Sequence, residues 1–161
     1  MFSLAPLGDE AVVVQLSHSI SPETYQRVKS FSYLLQQNKL PGIREWTPAY
    51  NSVTVFYDPY RLPYQKLTEF LHSLEEELHQ VDAPPSRVIH IPVCYGGPFG
   101  PDLPFVAQYH NLTPQEVVAK HVQPTYLIYM LGFAPGFPYL GGLPPALATP
   151  RRPSPRRRVE A

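Results

Sequence analysis

The sequence has little cysteine, no long apolar run and no net charge. Its single cysteine, Cys94, excludes an intrachain disulfide and fits a reducing cytoplasm. No run approaches the ~18 apolar residues that a membrane span needs. Residues 1–16 lack the basic start of a signal peptide and are interrupted by Asp9 and Glu10. We therefore expect a cytoplasmic protein without a membrane segment.

The charges are unevenly placed. Residues 151–161 hold five arginines and one glutamate, whereas the preceding 150 residues hold eight basic and twelve acidic side chains. An acidic body with a short basic tail argues against general nucleic-acid binding. The six histidines are scattered and no set has metal-ligand spacing, so we expect no bound metal ion. Cys94 has no local base, which predicts a buried, inert thiol.

Proline is what the chain has in excess, with 21 residues among 161. That share is more than twice the usual ~5%. Six prolines lie before residue 84 and fifteen lie from there on. The shift predicts two domains, over residues 1–83 and 86–161.

The first domain has a complete pattern of alternating elements. Two short strands, a helix that begins after Ser21, two further strands and a helix after Pro63 give the order β-β-α-β-β-α. We predict an α+β sandwich in which two helices cover one face of a mostly antiparallel sheet.

The second domain has fewer elements. We predict a strand over 87–93, a short turn that is capped by Asp102 and runs through Tyr109, a helix begun by the capping box Thr113–Glu116, and a strand over 126–131. Residues 144–161 have no periodicity and are expected to be mobile unless paired. Too few strands are present to close a sheet, so we expect an incomplete β domain.

The segment from Leu131 to Gly142 is apolar, aromatic and stiffened by proline. Such a segment is typical of a surface shaped for a ligand or a second protein; the alternative is a buried loop that packs its aromatic rings into its own core. The candidate partner contacts are Phe133, Pro135, Gly136, Phe137 and Tyr139.

Two blocks together resemble the family of the 5-oxoprolinase B subunit, also called allophanate hydrolase subunit 1 or carboxyltransferase subdomain C. One block is the segment 131–142 followed by Pro150-Arg151, Pro155-Arg156 and Val159. The other is Ile91–Gly97 followed by Phe99–Leu103. The family includes the sporulation histidine-kinase inhibitor, and its members continue past the point where this sequence stops.

The resemblance implies that the second domain is the first part of a cyclophilin-like β-barrel. It also implies a component of an ATP-dependent 5-oxoprolinase, which opens 5-oxoproline (pyroglutamate) to glutamate with ATP hydrolysis. Its partners would be the C and A subunits of 5-oxoprolinase, and ATP with Mg²⁺ would be used in the assembled complex, with no cofactor intrinsic to this chain. The resemblance assigns no catalytic residues, and we expect the isolated chain to be inactive.

Two other functions fit the same resemblance. One is an inhibitor that binds a sensor histidine kinase, and the other is a component of an allophanate hydrolase or urea amidolyase. All three share the central segment, so the sequence does not separate them.

The candidate anion-binding residues are Arg151, Arg156, Gly96 and Gly97. The two arginines match the family's Pro-Arg pairs, and a guanidinium suits a carboxylate or phosphate. The two glycines are in no P-loop motif, but their main-chain N–H groups can face an anion. Arg152, Arg157 and Arg158 match no such motif and are expected to be solvated; the alternative for all five arginines is a generic basic tail.

Overall fold

The structure is a computed structural model that describes residues 2–81 and 83–156. Predictions for Arg157 and Arg158 lie outside the described residues. The chain divides into two compact units, Met1–Ser86 with Tyr129–Pro138 and Arg87–Ile128 with Tyr139–Ala161. Helices combined with an antiparallel sheet confirm the α+β class. The domain bounds 1–83 and 86–161 stay a prediction, and they made no allowance for residues 129–138, which group with the first unit.

The first unit is built on a four-stranded antiparallel sheet with the strand order β1-β2-β4-β3. Its strands are β1 (Ser3–Pro6), β2 (Ala11–Gln15), β3 (Ile43–Pro48) and β4 (Ser52–Tyr57). Its helices are α1 (Pro22–Gln37) and α2 (Tyr64–Leu78). The predicted element order is therefore confirmed for this unit.

The alternating apolar residues of the strands and the apolar sides of the helices pack together into one core in this unit. Val12 pairs with Val55 and Val14 with Val53 across β2 and β4, and all four are buried. The buried leucines of α2 and the inner side of α1 complete the core, with Phe31 fully buried. The start of α1 is fixed by Ser21, whose side chain accepts a hydrogen bond from the Thr24 main-chain N–H.

The turn before β3 requires glycine. Gly42 has φ +107°, in a region that other residues rarely adopt, and a Cβ there would lie 2.5 Å from the Cβ of Leu62. The chain then enters β3 with an irregularity in the register between Ile43 and Glu45. Arg44, between them, contacts Glu10 at 2.9 Å.

The second unit contains the helices α3 (Leu103–Tyr109) and α4 (Pro114–Val122) and a 3-10 turn over Pro145–Leu147. The predicted capping box is present at the start of α4. Thr113 N donates to Glu116 Oε2 at 2.7 Å and Glu116 N donates to Thr113 Oγ1 at 3.2 Å. Leu147 of the turn is buried, so this part of the tail is packed, where no structure was predicted.

The strand predicted over residues 87–93 is not formed. Its apolar side chains are exposed, with Val88 and Ile91 each 67% accessible. A strand exists only as one member of a hydrogen-bonded ladder. No strand of the described residues pairs with this segment, so alternating apolar residues alone were an insufficient signal.

The predicted strand over 126–131 is confirmed as β5 (Leu127–Leu131), which pairs with β6 (Pro138–Gly141). The second strand lies within the segment Leu131–Gly142, in which no strand was predicted. The described part of the chain contains no closed barrel, and the cyclophilin-like β-barrel stays a prediction. Among the helices of residues 2–81 and 83–156, none has the length and apolar character needed to cross a membrane.

Candidate functional site

An apolar cleft of about 330 Å³ lies in the second unit. Small-molecule sites are typically clefts of roughly 300–1,000 Å³ with apolar walls and a few polar groups. Here the apolar wall consists of Leu103, Val106, Val117, Leu143 and Leu147. The polar side chains that line it are Tyr95, His121 and Thr149.

Tyr95 and His121 form a hydrogen-bonded pair at this cleft, with Tyr95 Oη 2.5 Å from His121 Nδ1. Burial, with a smaller contribution from Tyr126, raises the pKa of the Tyr95 phenol. The phenol therefore stays protonated, and the tautomer of the imidazole decides whether the phenol donates to Nδ1 or accepts from it. Tyr126 in turn donates its hydroxyl to the main-chain carbonyl of His121 at 2.7 Å. Two tyrosines thus fix one histidine, by its ring and by its main chain.

Thr149 is engaged within the protein. Its hydroxyl donates to the main-chain carbonyl of Leu147 at 3.0 Å and lies 3.1 Å from His110 Nε2, from which it accepts. The contact joins the segment after the 3-10 turn to the C-terminal end of α3.

Asp102 joins the same segment to the start of α3. Its Oδ1 is 2.5 Å from Arg156 Nη2 and 3.4 Å from Arg152 Nη1. The hydrogen bond from Arg156, and then the charges of Arg156 and Arg152, hold the pKa of Asp102 below its usual value against the opposing effect of desolvation. Asp102 was predicted to cap the helical turn, but its side chain makes no cap hydrogen bond, because it binds the arginines instead.

The structure does not bring together the two arginines of the Pro-Arg pairs. Arg156 and Arg152 meet at one carboxylate, although Arg152 was expected to be solvated. Arg151 is exposed and makes no ion pair with any described residue. The anion-binding role of Arg151 and Arg156 stays a prediction.

Gly96 and Gly97 form a tight turn next to Tyr95. Both have positive φ, at +78° and +54°. Gly100 N donates to Gly96 O at 2.9 Å, and a Cβ on Gly100 would lie 2.5 Å from Gly96 N. The glycines are thus required by the turn itself. Their predicted anion contact stays a prediction.

The loop between β5 and β6 exposes its aromatic rings. Phe133 is 91% accessible and Phe137 is 46% accessible, and their ring centroids are 5.5 Å apart. Pro135 and Gly136 at the loop tip are also exposed, and Tyr139 is half-buried. The alternative of a loop buried in its own core is wrong for the two phenylalanines.

Phe133 also has an unusual main chain. Its φ is +67°, in the left-handed region that bulky residues avoid. Such strain costs on the order of 1–3 kcal/mol and is found where the surrounding structure enforces it, often at functional surfaces. The bonds that close the loop are Gly132 N to Phe137 O at 3.1 Å and Phe137 N to Ala134 O at 3.0 Å.

A second hollow, of about 520 Å³, lies on the first unit beside Asp9, Glu10 and Tyr60. Tyr60 is 97% exposed and Glu10 is already paired with Arg44. The hollow therefore offers a carboxylate and a ring at an open surface, without the fixed donors of the cleft.

Other polar candidates add little to the cleft. Among the described residues, no three His, Cys, Asp or Glu side chains come together as a metal site. Cys94 is exposed, so the predicted burial of its thiol is wrong; the segment that carries it is not part of a sheet. Tyr95 and His121 were not predicted as a pair, because they are 26 residues apart and no spacing rule joins them.

Comparison with known proteins identifies the family. The family described as carboxyltransferase domain, subdomain C and D, matches residues 2–161. The 5-oxoprolinase B subunit of Bacillus subtilis (strain 168) is 38% identical over 171 aligned positions, covering 99% of this chain and 71% of that protein. The 5-oxoprolinase B subunit of Haemophilus influenzae (strain ATCC 51907 / DSM 11121 / KW20 / Rd) is 40% identical over 159 positions, covering 99% of this chain and 73% of that protein.

A solved structure supports the same family assignment. The crystal structure of TTHA0988 superposes with a TM-score of 0.78 at 36% identity, covering 94% of this chain. This chain spans only 29% of that longer protein. With the family match over nearly every residue, the chain belongs to the carboxyltransferase domain, subdomain C and D, family.

Proposed function

We propose that this chain is a component of a 5-oxoprolinase, which opens 5-oxoproline to glutamate with ATP hydrolysis. The observation that carries the proposal is the 38% and 40% identity to the 5-oxoprolinase B subunits of two bacteria, across 99% of this chain. Identity at this level over whole units, rather than over one motif, supports the same biochemical role.

Opening a lactam with ATP needs more groups than the described residues of this chain provide. A lactam is a poor electrophile, and phosphorylating its oxygen makes it a better target for water. Such a step needs cations near the phosphates. Exposed Arg151 and the main-chain N–H groups at Gly96 and Gly97 are the groups we propose for such a contact. Mg²⁺ would arrive with ATP, since the described residues offer no carboxylate cluster to hold it.

The partners we propose are the C and A subunits of the enzyme, and the contact is the β5–β6 loop. Phe133 and Phe137 are large, exposed and held close together on a loop closed by its own hydrogen bonds. Rigid aromatic side chains lose little entropy on docking and are common at binding hot spots.

The test is reconstitution. The full protein is combined with the C and A subunits, and glutamate formation from 5-oxoproline is measured with ATP and Mg²⁺, omitting each protein in turn. We expect activity only when all three are present, and none from this chain alone. Full activity in its absence would refute the proposal. Binding of a sensor histidine kinase, or activity on allophanate, would support the alternative functions instead.

A further inference from the structure

We propose that Tyr129 is the positioning residue of the β5–β6 loop, through the contacts of its ring with Tyr25 and Tyr50 of the first unit. These contacts hold the loop in the conformation that presents Phe133 and Phe137 to a partner. The inference rests on the proposed function, because that function places the partner contact at this loop. It adds a residue that acts through the loop and does not itself touch the partner.

Residues 129–138 group with the first unit, and the ring of Tyr129 contacts two tyrosines of that unit. Its centroid lies 5.8 Å from that of Tyr25, edge to face, and 5.5 Å from that of Tyr50, with the two ring planes tilted by 44°. Both distances fall within the roughly 4.5–7 Å over which aromatic rings attract one another. Tyr129 is therefore held by α1 and by the turn between β3 and β4 (residues 49–51).

The two partner rings are carried by main chain that hydrogen bonds hold in place. Tyr25 lies near the start of α1, where its N–H donates to the Ser21 carbonyl at 2.9 Å. The turn that carries Tyr50 is closed by Ala49 N, which donates to Ser52 O at 2.8 Å. The two tyrosines thus offer Tyr129 a support whose main chain is fixed by the first unit.

The two hydrogen bonds that close the loop set its shape, but both lie within the loop and do not tie it to the rest of the unit. They run from Gly132 N to Phe137 O and from Phe137 N to Ala134 O. Phe133 has a φ of +67°, which a bulky residue keeps only where the surrounding structure enforces it. A contact outside the loop is therefore needed, and the ring of Tyr129 supplies it.

The three tyrosines can act on the loop separately from the stability of the core. Tyr25, Tyr50 and Tyr129 are each half-buried, and among the described residues they lie outside the buried cluster of the first unit. No described residue hydrogen-bonds the Tyr129 hydroxyl, so the contact is made by the ring. Substitutions at these positions should therefore loosen the loop and leave the fold of the unit intact.

The first measurement is amide hydrogen exchange of the full chain without a partner. The amides of Gly132 and Phe137 report the order of the loop, because both donate in the bonds that close it. The amides of Val12 and Val55, which pair across β2 and β4, report the stability of the whole unit. We expect Tyr129→Ala to raise exchange at the loop amides by about fivefold to a hundredfold, the size of two aromatic pairs. Exchange at the two valine amides should not change.

Further variants separate the ring contacts from a general loss of stability. Tyr129→Phe keeps the ring and should leave loop exchange within about twofold of the wild type. Tyr25→Ala and Tyr50→Ala each remove one ring pair and should raise loop exchange by about twofold to tenfold. Both leave β5 unaltered, so they test the contact even if Tyr129→Ala fails to fold. Tyr33→Ala is the matched control, because Tyr33 is another half-buried tyrosine of α1, and it should change loop exchange by less than about twofold.

The second measurement is calorimetric titration of the same variants with the partner subunits. A loop that must first be ordered binds more weakly, so Tyr129→Ala should lower the affinity by about threefold to tenfold. Tyr129→Phe should restore the wild-type affinity, because the ring and its two contacts are kept.

Three results would overturn the inference. Loop exchange that is unchanged in the alanine variants, or raised equally in Tyr33→Ala, would show that the ring of Tyr129 does not hold the loop. A loosened loop with full affinity would show that its order does not matter for docking. Weaker binding with an ordered loop would mean that Tyr129 contacts the partner itself. Because the exchange measurement uses this chain alone, its outcome is independent of whether reconstitution supports the proposed enzyme.

Discussion

The two units bury very different amounts of apolar surface. Among the described residues, sixteen side chains form the buried cluster of the first unit and three form that of the second. The hydrogen-bonded histidine and the cleft both belong to the second unit, where little apolar core surrounds them. Regions with few buried contacts open at lower free energy than a large core, and binding elements are often drawn from them. In this protein, stability and candidate chemistry are therefore placed in different units.

A matched pair of leucine truncations tests this difference most strongly. Leu71 is fully buried in the first unit, and Leu71→Ala should cost about 2–5 kcal/mol because it leaves a cavity in a closed core. Leu147→Ala should cost less, near the lower limit of about 2 kcal/mol, because it only widens an open cleft. Native-state hydrogen exchange, recorded for the amides of each unit, measures both. Equal losses of stability in the two variants would contradict the proposed difference between the two units.

The next largest effect is expected from a substitution in the exposed β5–β6 loop. It should change the affinity for the partner subunits and not the stability of the fold. Phe133→Ala should weaken binding to the partner subunits by roughly 2 kcal/mol, as for a hot-spot aromatic. Its side chain is 91% accessible, so the unfolding midpoint should hardly change. Tyr60→Ala, at 97% accessibility on the first unit, is the control and should leave affinity unchanged. The measurement is calorimetric titration with the partner subunits, and equal effects at the two positions would mean that the loop has no special role.

Removing one helix cap from each unit should have a smaller effect on stability. Removing the cap hydroxyl in Ser21→Ala or Thr113→Ala should cost about 1 kcal/mol each. The two changes should cost similar amounts, because each hydroxyl makes two hydrogen bonds, Ser21 with Thr24 N and Oγ1 and Thr113 with Glu116 N and Oε2. Exchange rates in the first turns of α1 and α4 provide the measurement. A smaller loss at Thr113 would show that the box is not formed in solution.

The smallest effect concerns acid stability of the second unit. Hydrogen bonding to Arg156 lowers the folded-state pKa of Asp102, so the pair contributes stability above the unfolded pKa of about 3.8. That contribution is lost as pH falls through the lowered folded pKa. Asp102→Asn should therefore lower stability slightly near neutrality, where the ion pair is present and exposed, and flatten the pH dependence at acidic pH, where the two proteins converge. Chemical unfolding at a series of pH values checks this, and an unchanged acid limb would mean that the ion pair is absent.

Local sequence patterns determined most of the first unit. Ser21 and the alternating valines of β2 and β4 act over neighbouring residues, and an amphipathic helix or strand specifies its own buried side. The same holds for the Thr113 capping box in the second unit, which is formed as predicted. These signals act between residues that are close in sequence, so they can be read directly from the sequence.

Only the tertiary structure decided the candidate site. Tyr95 meets His121 across 26 positions, and Arg152 meets Asp102 across 50, distances at which no periodic rule operates. The segment 87–93 has the pattern of a strand, yet strand formation depends on a partner elsewhere in the chain, which a local pattern does not show. Helix ends and apolar faces are thus set by neighbours in sequence, whereas the hydrogen-bond partner of the His121 ring is a distant tyrosine that only folding brings within reach.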